Sequence, residues 1–414
     1  MSKLKELAVN ITDGEHGTVK DDDKGIYFLL SNKNIINGNV FIGKNERKIS
    51  KETFEKINKR IKLEEEDLLI STVGTVGKTA IVKGKINYAF QRSVGIIKVD
   101  KGKIDPYYLK YQLDTREFQN RMRKLSKGAV QKCLYISDLE NLEIKTLDIE
   151  SQKKIVSVLK TIDDKIDNNN KIIQELEYLA KTIYDYWFLQ YNFPNKEEKP
   201  YKIFNGKMTY NENLKREIPI GWKYKKISEI EENIVTGKTP STKNAENFNG
   251  NIPFITIDDI RQGLYINKTI RTLSNKGADS QVKKYIPEDS ICVTCIATVG
   301  LIGITTKESQ TNQQINSIVC KNKDNLYYLV NALRDYFKYS NGAKSGNIFD
   351  NMNKEDFSSI RIIYPTTDIL AKYNEKVMPI YEKIKNNILE NEELNSLKDY
   401  LLPLLMNGQV KIQN

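Results

Sequence analysis

The sequence predicts an α+β chain with a pseudo-two-fold internal repeat, each half a globular head followed by one long helix. Three observations predict it. First, Asp67-Leu-Leu-Ile-Ser-Thr-Val-Gly-Thr-Val-Gly77 returns as Asp289-Ser-Ile-Cys-Val-Thr-Cys-Ile-Ala-Thr-Val-Gly300. Second, Lys165-Ile-Asp-Asn-Asn-Asn170 returns as Lys383-Ile-Lys-Asn-Asn-Ile388, an offset of 383 − 165 = 218 residues. That period exceeds the ~20–50 residues of a solenoid repeat, so a whole unit is duplicated. Third, Ile155, Leu159, Ile162, Ile166, Asn169, Ile173, Leu176, Ala180, Ile183 and Trp187 follow alternating steps of four and three, the apolar seam of a coiled coil.

In the first head, Tyr27–Leu30, Leu68–Val73, Thr79–Val82 and Val94–Val99 have the composition of short buried strands, punctuated by Gly, Asn and Asp. Pro106 opens a helix expected to continue to Leu125, since proline suits a first helical turn. The second head repeats the order with Pro253–Ile257, Ser290–Cys295, Ile302–Thr305, Ile315–Cys320 and a helix over about Leu326–Tyr339. Shifting the seam by 218 gives Tyr373, Val377, Ile380, Ile384, Asn387, Asn391, Leu394, Lys398, Leu401 and Leu405. Pro379 is expected to kink this second helix, and Pro403 to end or bend it. Residues 191–217 are polar and punctuated by proline, as in a linker. The expected partition is a head over 1–149, a helix over 150–190, the linker 191–217, a head over 218–366 and a helix over 367–414.

Bulk composition narrows the class. A chain of 414 residues with 39% hydrophobic and 29% charged residues can bury more than one core. No stretch approaches the ~20 apolar residues of a membrane span, and the start lacks the apolar region of a signal peptide, so a cytoplasmic location is expected. The net charge of +11 points to an acidic partner, nucleic acid first, although a lysine-rich surface accounts for it equally well. The four cysteines fit a reducing compartment.

Several strings, in order and in duplicate, resemble the specificity subunit of a type I restriction-modification system. They are Ile218-Pro-Ile-Gly-Trp222, Thr236-Gly-Lys-Thr-Pro240, Pro253-Phe-Ile-Thr256, Thr298-Val-Gly300, Asn312-Gln-Gln-Ile-Asn316 and the closing Leu401-Leu-Pro-Leu-Leu-Met-Asn-Gly-Gln-Val410. The resemblance spans the chain. It implies two target-recognition domains separated by two long antiparallel helices, each domain reading half of a bipartite, asymmetric site in double-stranded DNA. It also implies two methyltransferase (modification) subunits and ATP-dependent restriction subunits as partners, with no cofactor and no catalysis in this chain. About 38 helical residues at ~1.5 Å each make a spacer of roughly 57 Å, long enough to set apart two half-sites. A fused enzyme with its own catalytic activity, or a coiled-coil scaffold without a DNA role, are the alternatives. The chain departs from the pattern at Ile11–Thr18, at Gln91-Arg92 against Gln313-Gln314, and at Lys398, a charge on an apolar seam.

The expected DNA contacts follow from side-chain chemistry. Glutamine pairs with adenine and arginine with guanine in the major groove, which nominates Gln91, Arg92, Gln313 and Gln314. Bracing of a strand end explains these pairs equally well. Lys78, beside the first repeated turn, is a candidate phosphate contact, and Lys20, Lys33, Lys238, Arg261 and Gln262 are further candidate DNA contacts, with Thr239 and Thr18 as hydroxyl donors. The matched loops Ser126–Gln131 and Asn341–Asn347 add Lys127 and Gln131, then Lys344, Ser345 and Asn347. His16 lies in a Gly-rich loop that is expected either to face DNA or to carry a surface histidine without a role, and as the only histidine it supplies neither a zinc site nor a catalytic triad in each half.

Three further motifs have blander explanations. Gly74–Thr79 lacks the spacing of a phosphate loop and is expected to be a tight turn. Cys292 and Cys295 are expected to be buried strand residues, so no metal is assigned. Asn169 and Asn387 interrupt the two seams. In an antiparallel pair they would meet and set the register, or else be two solvated asparagines.

Overall fold

The computed structural model describes all residues except 129–130, 343–350, 411 and 413–414. The chain forms two compact units, one from Met1–Asp167 with Glu393–Asn414 and one from Asn168–Glu392. The division runs through both long helices, Ile149–Tyr184 and Thr367–Met406, so each helix contributes one stretch to each unit. No described helix is long and apolar enough to cross a membrane.

The first unit is built on an antiparallel sheet in the order Ala8–Asp13, Val94–Val99, Leu68–Ser71, Thr79–Ile81. Successive side chains on a strand face opposite ways, and both faces are apolar here. Leu68, Ile70 and Ile97 join a core with Tyr108, Leu109 and Leu113, while Leu69, Ala80 and Ile96 join another with Leu29, Ile49 and Phe90. A second sheet, Lys48–Ile49, Tyr27–Leu30 and Tyr88–Phe90, contributes Leu29, Ile49 and Phe90 to the latter. The helix expected over 106–125 is two helices, Pro106–Asp114 and Arg116–Leu125. Thr115 breaks it by taking an extended conformation and accepting from the Phe118 amide as the N-cap of the second.

The second unit repeats this plan. Its main sheet runs Ile234–Thr236, Ile315–Val319, Ser290–Thr294, Ile302–Thr305, Tyr265–Ile266. The smaller sheet is Arg271–Leu273, Phe248–Ile255 and Gln310–Thr311. Ile291 and Val293 face the core shared with helix Asn325–Gly342, and Cys292 faces the opposite one with Ile255 and Ile315. Burial pushes the Cys292 thiol up to about 12 and that of Cys295 to about 11, which removes thiolate reactivity near neutral pH.

Within each unit the two helix stretches run antiparallel. In the first, Ile155 and Leu159 share a core with Leu402, Leu405 and Met406, and Lys398 reaches Asp163. In the second, Ala180 and Tyr184 share one with Tyr373, Val377 and Tyr381. Three expectations need correction. The helix Thr367–Met406 runs through Pro403 rather than ending there, and both Pro379 and Pro403 lie on its exposed side, where water can satisfy the freed carbonyls. Residues 191–217 are folded: Phe193 stacks on Trp222 with ring centroids 5.1 Å apart, and Met208–Asn211 pairs with Arg216–Pro219. Polarity and prolines suggested a linker, but the buried aromatics decide the outcome.

The third correction concerns the asparagines. Asn169 is buried, and its amide donates to Glu390 Oε2 at 2.7 Å and Asn391 Oδ1 at 2.9 Å, not to Asn387. Asn391 in turn donates to Asn170 Oδ1 at 2.9 Å. The register is one helical turn away from the expected one. Asn387 is also buried, and its amide nitrogen has no partner among the described residues. The repeat explains this: the position equivalent to Asn391 in the first helix is 391 − 218 = 173, an isoleucine, which offers no acceptor.

Candidate nucleic-acid interface

In both units one cluster of loops gathers where the main sheet ends. A glycine following the edge strand lets the chain press against the start of the neighbouring strand. A Cβ on Gly14 would lie 2.2 Å from the Gln91 carbonyl oxygen, and one on Gly237 would lie 2.2 Å from that of Asn312. No side chain fits at either position. The same two backbone bonds follow in each unit. Gly14 N donates to Val94 O and Glu15 N to Phe90 O, at 3.1 and 2.7 Å. Gly237 N donates to Ile315 O and Lys238 N to Thr311 O, at 3.1 and 2.9 Å.

These bonds set the equivalence of the two halves, and it differs by one residue from the expected one. Val94 matches Ile315, so Gln91 matches Asn312 and Arg92 matches Gln313, while Gln314 matches Ser93. The side-chain strings Gln91-Arg92 and Gln313-Gln314 suggest a match that is one residue out of the backbone register. Arg92 and Gln313 are both exposed at the same place in the fold. Gln91 and Gln314 are half-buried and structural in their backbone bonds: Gln91 N donates to Leu30 O, and Gln314 O accepts from Cys295 N.

The amide carbonyls of both glutamines in the second unit are already engaged. Thr239 Oγ1 donates to Gln313 Oε1 at 2.7 Å, and Asn312 Nδ2 donates to Gln314 Oε1 at 2.9 Å. Neither bond uses the NH2 group, which makes each side chain chiefly a donor. The acceptors it suits in the major groove are N7, O6 and O4. Arg92 is likewise a pure donor.

A cation anchors each pinned loop from behind, and sequence inspection missed both. Arg60 Nη2 donates to Gly14 O at 2.7 Å, and Lys284 Nζ donates to Thr236 O at 2.8 Å. Arg60 belongs to the amphipathic helix Lys51–Ile61, where a basic residue looks like ordinary surface. Asn32 was missed too; its amide donates to Val73 O at 2.6 Å and ties a neighbouring loop to the repeated turn. The signal was available only by aligning the halves on their strands.

The turns themselves match. In the first, Gly77 N donates to Ser71 O and Lys78 N to Ser71 Oγ, at 2.9 and 2.8 Å. In the second, Gly300 N donates to Thr294 O and Leu301 N to Thr294 Oγ1, at 2.9 and 3.0 Å. Lys78 is exposed, and its equivalent is Leu301. Arg261 Nη2 donates to Thr298 Oγ1 at 2.8 Å and brings a guanidinium onto the second turn. Exposed Gln262 follows it.

The loop after each head's helix returns to the same turn. Gly74 N donates to Lys132 O at 2.9 Å, and Lys127 and Cys133 exchange backbone bonds. Lys127 Nζ lies 5.6 Å from the centre of the Tyr135 ring, and Gln131 is exposed. In the second unit Met352 N donates to Cys295 O at 2.7 Å. Lys344, Ser345 and Asn347 lie outside the described residues. The cluster thus brings together His16, Lys78, Gln91, Arg92, Lys127 and Gln131 in one unit, and Lys238, Thr239, Arg261, Gln313 and Gln314 in the other. His16 Nε2 sits 2.8 Å from Asp13 Oδ2. Lys33 is drawn into an ion pair with Glu46 at 3.1 Å, and Thr18 and Lys20 are exposed further along the pinned loop.

The model of the type I restriction modification DNA specificity domain matches residues 2–178 and again 219–399. The chain is 31% identical over 376 residues to the type I restriction enzyme HindI specificity subunit of Haemophilus influenzae, covering 78% of this chain and 82% of that one. It is 26% identical over 388 residues to the MjaIX specificity subunit of Methanocaldococcus jannaschii, covering 90% and 84%. Its fold is similar to the crystal structure of a type I restriction-modification S subunit from M. genitalium. The TM-score is 0.57 at 17% identity, covering 98% of this chain and 95% of that one.

Proposed function

This chain belongs to the type I restriction modification DNA specificity family, and from that membership we propose that each unit reads one half of a bipartite, asymmetric site in double-stranded DNA. The observation that carries this is the duplicated loop cluster: the same pinned loop, turn and exposed donor in two units, with different side chains. Arg92 and Gln313 stand at one equivalent position, so the two units present different chemistry to DNA in the same frame. Unlike side chains in like frames call for unlike half-sites.

Lys78, Lys127, Lys238 and Arg261 supply cations around those donors and suit phosphate oxygens, which position the duplex without reading it. Thr18, Lys20, Lys33 and Gln262 belong to the same proposed surface, and Lys344, Ser345 and Asn347 are proposed contacts from the sequence alone. The chain acts without catalysis of its own. It docks two methyltransferase subunits, and ATP-dependent restriction subunits join them, in the cytoplasm. Helix length then sets the unread gap between half-sites.

Methylome sequencing of cells carrying this chain with its neighbouring methyltransferase, against cells lacking only this chain, tests the proposal. Loss of adenine methylation at one bipartite, asymmetric motif is the expected result. An unchanged methylome, with both subunits expressed and co-purifying, would overturn it.

A further inference from the structure

Lys398 looked out of place on an apolar seam, and the structure gives it a partner. In the first unit Tyr111 Oη donates to Asp163 Oδ2 at 2.8 Å, and Lys398 Nζ donates to Asp163 Oδ1 at 2.5 Å. Asp163 is on the central helix, Lys398 on the C-terminal helix and Tyr111 on the head, so three elements meet at one carboxylate. Both charged side chains are half-buried.

The two equivalent positions in the second unit are uncharged, and the ion pair there lies one residue on, between Lys181 and Asp335 of the head helix at 3.2 Å. The helix offset of 218 turns Asp163 into Tyr381 and Lys398 into Ala180. Tyr381 Oη accepts from Asn331 Nδ2 at 2.8 Å, and Ala180 is buried in the same core. A further pair differs in sign. Asp167 of the central helix meets Lys83 of the first head at 3.5 Å, whereas its equivalent Lys385 donates to Glu288 of the second head at 2.5 Å.

We infer that Asp163 and Lys398 form a pairing key that makes the central and C-terminal helices select each other and reject a second copy of themselves. Two similar, antiparallel, apolar helices are otherwise able to pair with their own copies. In a central–central pair between two chains, the observed register puts Asp163 opposite Ala180 and Asn169 opposite Ile173. The carboxylate then loses its hydrogen-bonded ammonium from Lys398, and the amide of Asn169 loses the Asn391 acceptor. In a C-terminal–C-terminal pair, Lys398 faces Tyr381 and has no carboxylate. Each wrong pairing strands a partly desolvated charge, which is how one polar position specifies helix partners. The inference is independent of DNA reading, and its test uses no DNA.

The test is lysine cross-linking with mass spectrometry on the full-length chain, alongside sedimentation. The self-pairing register of the central helix centres on Lys171, between the facing pairs 169–173 and 163–180. Lys171 is exposed, and a Lys171–Lys171 link can form only between two chains. The wild type is expected to be free of this link. Asp163→Tyr with Lys398→Ala makes the two helices alike at these two positions and is expected to raise the link at least tenfold, together with the dimer fraction. Lys398→Asp alone opposes two carboxylates and is expected to form the link; adding Asp163→Lys restores the pair and abolishes it. Equal linking in the wild type and the variants overturns the key. So does a folded Lys398→Asp protein that stays monomeric and link-free, or a reversed pair that links as readily as Lys398→Asp alone.

Discussion

Arg92 and Gln313 show how a side chain's role depends on what its neighbours have already satisfied. Gln313 has its carbonyl oxygen engaged by Thr239, so its amide nitrogen is what it offers. A good base-edge contact is worth ~1–3 kcal/mol of discrimination. Arg92→Ala is therefore expected to relax one half-site, and Gln313→Ala the other, each by roughly tenfold to a hundredfold in a methylation assay on randomised sites. Relaxation of both half-sites by either variant would contradict the assignment. Backbone conformation gives a second prediction. Gly74 has φ +75°, and Ala297, at the same place in the second turn, has φ +64°. The left-handed region costs an alanine ~1–2 kcal/mol. Ala297→Gly is expected to stabilise the chain by about 1 kcal/mol, measured by chemical denaturation. Gly14→Ala and Gly237→Ala should each detach a pinned loop, lowering DNA affinity more than thermal stability.

At the level of elements, the helix pair carries an uneven pair of buried amides. The Asn169 amide nitrogen makes two hydrogen bonds although its Oδ1 has no partner among the described residues, while the Asn387 amide nitrogen makes none among them. An unsatisfied buried polar group costs ~1–3 kcal/mol. Asn387→Leu is expected to stabilise the protein by that order, and Asn169→Leu to destabilise it by leaving Glu390 and Asn391 with fewer partners. Thermal melts of the two variants check the sign directly, and equal shifts would refute the register described above. The same heptad pattern that identified the helices could not reveal this difference. Steps of four and three specify which face is buried but leave the partner's register free by whole turns.

For the whole molecule, two reading heads on one chain imply that gap and half-sites are set separately. Seven helical residues span ~10.5 Å, which matches about three base pairs of duplex. Removing a matched heptad from both helices is expected to shorten the unread gap by about that amount and leave the bases of both half-sites unchanged. Methylome sequencing of the variant reads both quantities at once, and altered half-site bases would count against a rod-like spacer. Binding by the assembled complex should weaken steeply with salt, by ~0.9 in the log–log slope for each phosphate neutralised.

Much of this was legible in the sequence because it is written in repeats and periods. The duplicated Thr-Val-Gly turn, the strand runs at Leu68 and Ser290 and the heptad steps from Ile155 depend only on residues near each other in the chain. Local chemistry determines a turn, a strand or an amphipathic face, so those elements appeared at about their expected places. The folding of residues 191–217 onto Trp222, the anchoring of Gly14 by Arg60 and the Asp163–Lys398 pair join residues far apart, and no local pattern encodes them. The one-residue equivalence of Arg92 with Gln313 belongs with these. Side-chain strings suggested one match, and backbone hydrogen bonds between strands decided another. The sequence by itself determined two alike halves and their element order, and its resemblance to DNA specificity subunits indicated the partner. Tertiary structure alone decided which donors face outward together, because burial and satisfied hydrogen bonds depend on the packed neighbours.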